Sequence, residues 1–135
     1  NYDVIIMAAA VADFQPSLPA DRKLKKSQQI TNLEIEPTHD FLIDLGKGKS
    51  SNQIIVGFAA ETEELEKNAK EKLERKNLDL IVANDVTAPG TGFGYDTNEV
   101  LLITGQEKTN VPLASKRVVA DKILDAVLGL RESKV

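Results

Sequence analysis

Three short apolar runs set the terms on which this chain can fold. Val4-Ile5-Ile6-Met7-Ala8-Ala9 and Ile54-Ile55-Val56-Gly57-Phe58 are continuous in apolar residues rather than alternating with polar ones, and Leu78 to Val82 departs from this only at Asp79. A strand with one wet face alternates. A continuous run, β-branched at its start, marks a strand covered on both faces, as in a parallel sheet with helices on either side. Between the second and third runs lies a helix. Thr62 is placed to cap it, Glu63 and Glu64 suit the positive end of its dipole, and Lys70, Lys72, Arg75 and Lys76 suit the negative end. Leu65, Ala69 and Leu73, four apart, form its buried stripe. Strand, helix and strand at this spacing predict a right-handed βαβ unit.

The remaining pattern extends that unit. Thr38–Gly46 reads as a short helix through Phe41, Leu42 and Leu45. Thr31, Leu33 and Ile35 alternate with Asn32, Glu34 and Glu36, as in a half-exposed strand outside the parallel set. After Val82 comes a turn-rich stretch, Pro89-Gly90-Thr91-Gly92-Phe93-Gly94, then a strand over Val100–Thr104. A hairpin around Gly105-Gln106-Glu107 leads to Thr109–Val111, and Ser115–Leu130 closes the chain as a helix with Val119, Ile123, Ala126 and Leu130 inward. At 135 residues the prediction is one domain over 1–135, a three-layer α/β domain of Rossmann-like type with a mostly parallel sheet.

Composition narrows the function classes. There is no cysteine, which excludes disulfides, thiolate metal sites and a cysteine nucleophile. The net charge of −4 disfavours nucleic acid and anionic membranes as partners of the chain as a whole. The longest apolar run, Val4–Ala12, is far too short to span a bilayer, and it lacks the signal-peptide pattern, with no basic residue in Asn1-Tyr2-Asp3 and no cleavage region after it. A cytoplasmic protein acting on small molecules is expected.

In open parallel sheets the ligand lies beyond the carboxyl ends of the strands. The first strand exits through Ala8-Ala9-Ala10-Val11-Ala12-Asp13, the second through Phe58-Ala59-Ala60-Glu61 and the third through Ala83-Asn84-Asp85. Small side chains there let a ligand reach backbone groups, and each exit adds a polar side chain. For any one strand, alanines packing on a helix and a polar cap explain as much; three exits together favour a shared site. Gly90, Gly92 and Gly94 follow a proline and precede an extended segment, the wrong context for a dinucleotide fingerprint, and are read as a loop needing positive φ. Arg22, Lys23, Lys25 and Lys26 are either a solvated basic loop or a mobile flap over a polyphosphate. His39, the only histidine, has no serine or carboxylate partner at a recognisable spacing and reads as a surface or helix-entry residue. No histidine–cysteine metal cluster can be built.

Taken in order, Ala8-Ala9-Ala10-Val11-Ala12-Asp13-Phe14, Lys23-Leu24-Lys25-Lys26, Gly57-Phe58-Ala59-Ala60-Glu61-Thr62, and Lys76-Asn77-Leu78-Asp79 running into Ala83-Asn84-Asp85-Val86 resemble the phosphopantothenate–cysteine ligases of bacterial coenzyme A synthesis. The likeness spans residues 1 to about 130 and rests on the motifs jointly. It implies a dimeric Rossmann-like domain that joins 4′-phosphopantothenate to L-cysteine through an acyl-cytidylate made from CTP. It further implies backbone contacts to the nucleotide from Met7, Ala8 and Ala9, a ribose contact from Asp13, and a catalytic flap lysine in Lys23. His39-Asp40-Phe41-Leu42 stands where the family carries Pro-Asp-Ile-Leu against CTP: Asp40 and Leu42 match, and His39 replaces proline. Phe58, Lys72 and Lys76 match CTP positions, and Ala10 and Asn84 are assigned to the substrate.

Geometry and resemblance disagree over the two lysines. A helix that starts at the carboxyl edge carries Lys72 about 15 Å away from it at about 1.5 Å per residue. Either the long side chains reach back to the nucleotide, or both are dipole-compensating surface lysines. The resemblance also implies a first βαβ unit, with a glycine-rich turn and an asparagine, that precedes residue 1. Without it, this stretch is expected to be catalytically incomplete. Magnesium is expected with the triphosphate, its ligands undefined, and flavin only with a fused decarboxylase domain outside this chain. The competing functions are a nucleotide-binding module without catalysis and a nicotinamide-dependent oxidoreductase of the same fold.

Overall fold

A computed structural model describes residues 2–25, 32–91 and 94–134. The chain divides into two units, Asn1–Ala8 with Phe41–Val135, and Ala9–Asp40.

In the larger unit the apolar runs become strands of one five-stranded sheet. Strand β1 is Val4–Ile6. The smaller unit contributes β2 (Phe14–Pro16) and β3 (Ile35–Pro37). The larger unit then continues with helix α1 (Phe41–Gly48), β4 (Ile54–Glu61), α2 (Leu65–Arg75), β5 (Leu80–Asp85), β6 (Thr97–Ile103), β7 (Lys108–Ser115) and α3 (Lys116–Ser133). The sheet order is β1-β4-β5-β6-β7. β1, β4 and β5 are parallel, β6 runs against β5, and β7 runs against β6. Within this sheet all strands but β6 therefore share one direction, and the three apolar runs, β1, β4 and β5, are the parallel neighbours.

Alternation along β4 divides the core between two layers. Ile54 and Val56 face α3, in a cluster with Leu80, Val82, Val119, Ile123 and Val127. Ile55 and Ala59 face the other way, against Ala69 and Leu73 of α2, with Leu42 and Leu45 of α1 at the margin. Ile54, Val56 and Leu80 are wholly enclosed, each worth about 1.5–3 kcal/mol over an exposed side chain.

Several boundaries differ from the sequence reading, each for a physical reason. β1 ends at Ile6 rather than Ala9, although the Met7 N–H still reaches the Val56 carbonyl at 2.9 Å. β4 runs past Phe58 to Glu61 because Ala59, Ala60 and Glu61 pair with Ala83, Asn84 and Asp85. Those supposed exit residues are thus strand residues. Leu78 is not in β5; it is buried in the preceding turn, under Gly57. Thr62 does not cap α2. The cap position belongs to Glu64, with left-handed backbone (φ 46°) and no capping side chain. Asn68 instead holds this turn by donating to the Glu63 carbonyl at 2.9 Å. Ser115 does cap α3, accepting from the Val118 N–H at 3.3 Å. Val127 joins Val119 and Ile123 in the core, while Ala126 and Leu130 flank it. Gly90 and Gly94 adopt positive φ, 80° and 88°, as their loop demanded; Gly92 lies outside the described residues. The β6–β7 hairpin closes through Thr104 and Glu107 at 2.9 Å.

The smaller unit is built on an antiparallel pair. Phe14 opposes Pro37, and Pro16 opposes Ile35. Gln15 donates to Glu36 at 2.9 Å, and the Thr38 N–H meets the Asp13 carbonyl at 2.8 Å. The alternating segment expected from Thr31 is strand only over Ile35–Pro37, and all three residues are exposed rather than half-exposed. Thr31 is outside the described residues. β2 went unforeseen because a strand of three residues ending in proline carries no periodicity.

Candidate functional site

The parallel strands end at different heights, and the step is the candidate site. β1 stops opposite Val56, while β4 continues to Glu61 with β5 alone as its partner. Beyond Ile6 the chain offers Met7 and Ala8, half-buried and exposed in turn. The flank of β4 from Phe58 onward is therefore left open beside small residues, where a ligand can approach main chain closely. Phe58 is 39% exposed although it lies in a central strand. Successive side chains alternate across a strand. Phe58, Ala60 and Asn84 accordingly share the α3 face, and Glu61 and Asp85 the α2 face.

On the α2 face the sequence reading missed a cluster. Glu61, at the end of β4, accepts Lys72 Nζ on Oε1 at 2.6 Å and Asn68 Nδ2 on Oε2 at 3.2 Å. The groove alongside, about 550 Å³, is lined by Glu61, Asn68, Glu71, Lys72, Glu74 and Arg75. Lys72 is thus paired with the carboxylate that ends β4. Its side chain leans toward the helix N-terminus, as helical side chains do, and brings its ammonium back to the strand ends. Lys76 differs. It caps the C-terminus of α2, where the chain turns toward β5 at the opposite end of the sheet. A sequence signal for the cluster existed, since Asn68 and Lys72 are four apart and flank the apolar stripe of α2.

Asp85 closes β5. Its carboxylate accepts the Thr87 hydroxyl at 2.6 Å and the Thr87 N–H at 2.8 Å, and these bonds hold it below the usual carboxylate range. The buried Thr91 hydroxyl donates to the Asp85 carbonyl at 2.6 Å. The strand end is thus tied to the turn that follows it, with half-buried Asn84 presented on the other face.

The other predicted residues are distributed as follows. Phe41 and Leu42 open α1; Leu42 packs on the core, leaving its main chain for any ligand, and Phe41 is 36% exposed. In the smaller unit Ala9, Ala10, Asp13, Lys23 and His39 are exposed and Asp40 is half-buried. Arg22 and Lys25 are exposed as well; Lys26 is outside the described residues. Among the described residues no three histidine or carboxylate side chains converge to hold a metal ion. None of the described helices is long and apolar enough to cross a membrane.

Comparison with known proteins matches residues 1–130 to the family described as DNA/pantothenate metabolism flavoprotein C-terminal domain. The coenzyme A biosynthesis bifunctional protein CoaBC of Bacillus subtilis is 48% identical over 95% of this chain and 32% of its own length. A cysteine/cysteine sulfinic acid decarboxylase from an unknown prokaryotic organism is 43% identical over 95% of this chain and 36% of its own. The chain thus spans about a third of these relatives. The crystal structure of the C-terminal domain of a CoaBC protein superposes with a TM-score of 0.76 at 35% identity, over 98% of this chain and 57% of that one.

Proposed function

Because the chain belongs to the DNA/pantothenate metabolism flavoprotein C-terminal domain family, we propose that it serves as the ligase part of a coenzyme A-forming enzyme. In this reading it joins 4′-phosphopantothenate to L-cysteine with CTP. The phosphopantothenate carboxylate attacks the α-phosphorus of CTP, a C–O–P linkage forms, and pyrophosphate leaves. The cysteine amine then attacks the acyl carbon, CMP departs with the C–O electron pair, and the amine loses its proton. A carboxylate and a triphosphate meet in the first step, so fixed cations and backbone donors carry the catalysis and no protein nucleophile is needed.

The observation that carries this reading is the step in the sheet, where β1 ends opposite Val56 and β4 and β5 run on. Met7 and Ala8 offer main chain there, Phe58 a flat apolar face, and Asn84 an amide for substrate. The small side chains of Ala8 and Ala60 keep the approach open. In the smaller unit Ala9, Ala10, Asp13, Lys23 and the His39–Asp40 pair are assigned by resemblance to the same reaction, with Asp13 at the ribose and Lys23 at the phosphates or the reacting carboxylate. Phe41 and Leu42 offer the first turn of α1. A homodimer is part of the proposal.

Magnesium would be carried by the triphosphate and water, since among the described residues no three histidine or carboxylate side chains converge on one point. No step is routed through it. Flavin has no place in this chain's part of the reaction.

Calorimetry of the full-length protein with CTP, ATP and NADPH, followed by assay of CMP release with phosphopantothenate and cysteine, tests the reading. Selective CTP binding and CMP release are expected. Binding of NADPH instead would overturn it, and CTP binding without CMP release would leave a nucleotide-binding module.

A further inference from the structure

Lys72 differs from its neighbours on α2 in what it pairs with. Lys67 bonds Glu64 at 3.0 Å and Lys70 bonds Glu66 at 2.7 Å, both within a turn of the same helix. Lys72 instead reaches across to a strand, meeting Glu61 at 2.6 Å. The helix does not need that bond to stay on the sheet, since Ala69 and Leu73 are already buried beneath it. We propose that Glu61 is a positioning residue that holds the Lys72 ammonium at the carboxyl edge for contact with the anionic nucleotide.

Glu61 is well suited to act as a fixed anchor. Its side chain is only 13% exposed, and Asn68 secures the second oxygen at 3.2 Å. Its main chain is pinned by pairing with Asp85 and by the Val86 N–H on its carbonyl at 3.2 Å. Lys72 remains 36% exposed. An ammonium has three donors. Glu61 takes one, and the exposed remainder faces the groove. An unrestrained lysine on this helix would sample many rotamers and lose that freedom on binding. Glu61 makes the loss in advance, which is the advantage of a preorganised cation. The carboxylates on this groove, Glu61, Glu71 and Glu74, weaken the attraction for phosphate, and Arg75 and the hydrogen bond from Asn68 to Glu61 offset part of that.

This inference rests on the reading that the edge binds CTP, and the test separates the two. Glu61→Ala, Glu61→Gln, Lys72→Gln and the Glu61→Ala/Lys72→Gln double variant are made in the full-length protein. CTP dissociation constants, KM and kcat, and melting temperatures are measured for each. Lys72→Gln is expected to weaken CTP binding about tenfold, the scale of one hydrogen bond to a charged group. Glu61→Ala should follow by roughly the same factor, and Glu61→Gln, which keeps an acceptor for Lys72, should recover part of it. The double variant should be no worse than Lys72→Gln alone. KM for CTP should carry the change, with kcat nearly constant, because a ground-state contact is lost. If Lys72→Gln weakens binding while Glu61→Ala leaves it unchanged or tightens it, the proposal is overturned and the CTP reading stands. Loss of melting temperature in all variants with unaltered CTP binding would make the pair a mere staple and overturn it too. A wild-type protein that binds no CTP overturns both.

Discussion

An ammonium on an exposed loop contributes little to the folded state, which makes Lys23 a clean probe of chemistry. It is exposed in the smaller unit, so Lys23→Gln should alter stability by no more than about 0.5 kcal/mol. If the ammonium meets charge that grows as carboxylate attacks phosphorus, kcat should fall roughly 10²-fold while KM for CTP moves less. Lys25→Gln serves as the comparison at constant ionic strength, because salt screens exposed charges alike. Equal small losses from both variants would reduce the cluster to a basic loop. Asp13 makes a second test. Its carbonyl accepts the Thr38 N–H, a main-chain bond that survives Asp13→Ala. The unit should therefore keep its fold, and CTP binding should weaken by about 1–3 kcal/mol if the carboxylate holds the ribose. An unchanged dissociation constant in a folded variant would remove Asp13 from the site.

At the scale of elements, the meeting of α1 with the α2–β5 turn leaves no room for a side chain. Gly46 is buried in α1, and a methyl there would run into the Lys76 carbonyl oxygen. Asn77, in left-handed conformation at φ 51°, donates Nδ2 to the Gly46 carbonyl at 2.7 Å and fixes the approach. Backbone cannot retreat as a flexible side chain can. Gly46→Ala is therefore expected to destabilise the protein by about 2–3 kcal/mol, the scale of an overpacked core, where an ordinary helical Gly→Ala change would stabilise it. Urea unfolding decides the sign, and Gly129→Ala in α3, which meets open space, is the control. The same junction shows what a sequence hides. Gly46 and Gly48 both read as helix stops, α1 runs on to Gly48, and nothing along the chain says that Lys76 lies against Gly46. The elements themselves were legible, because the βαβ pattern depends on local periodicity in Ile54–Phe58, Leu65–Leu73 and Leu78–Val82. Their ends were not. Whether Ala59-Ala60-Glu61 extends β4 depends on Ala83-Asn84-Asp85 pairing beside it, and that register is a tertiary fact. Phe58, Asn84 and Ala8 were visible as strand-end residues. The bond of Glu61 to Lys72 was not, since it requires knowing how far a side chain leans back along its helix.

For the larger unit as a whole, one carboxylate ties three elements together at the end of the sheet away from the site. Asp79, 11% exposed in its side chain, accepts Lys49 at 3.0 Å and Lys134 at 2.8 Å. It also accepts the Ile55 N–H at 2.8 Å. Lys49 follows α1, Ile55 lies in β4, and Lys134 ends α3, so the residue joins layers that no single hydrophobic contact connects. Burial by itself would raise its pKa, but Lys134, the Ile55 N–H and Lys49 outweigh that and hold it below the ordinary value. Folded protein then binds fewer protons than unfolded protein wherever the two pKa values are straddled. The stabilisation is complete above the unfolded value, about 3.9, and is lost as pH falls from there through the lower folded value. Asp79→Asn removes the charge, leaves two ammonium groups without a counter-ion and turns an amide donor toward one of three donors. The expected loss at pH 7 is about 2–4 kcal/mol, the scale of a broken, largely buried ion pair. The variant should also lose less stability than wild type between pH 5 and pH 3 (a range set by the unfolded carboxylate, near 4), because one proton-linked contribution is gone. Urea midpoints across that range measure both effects at once. Parallel acid profiles for wild type and variant would show that Asp79 is not the carboxylate whose protonation loosens this end of the sheet.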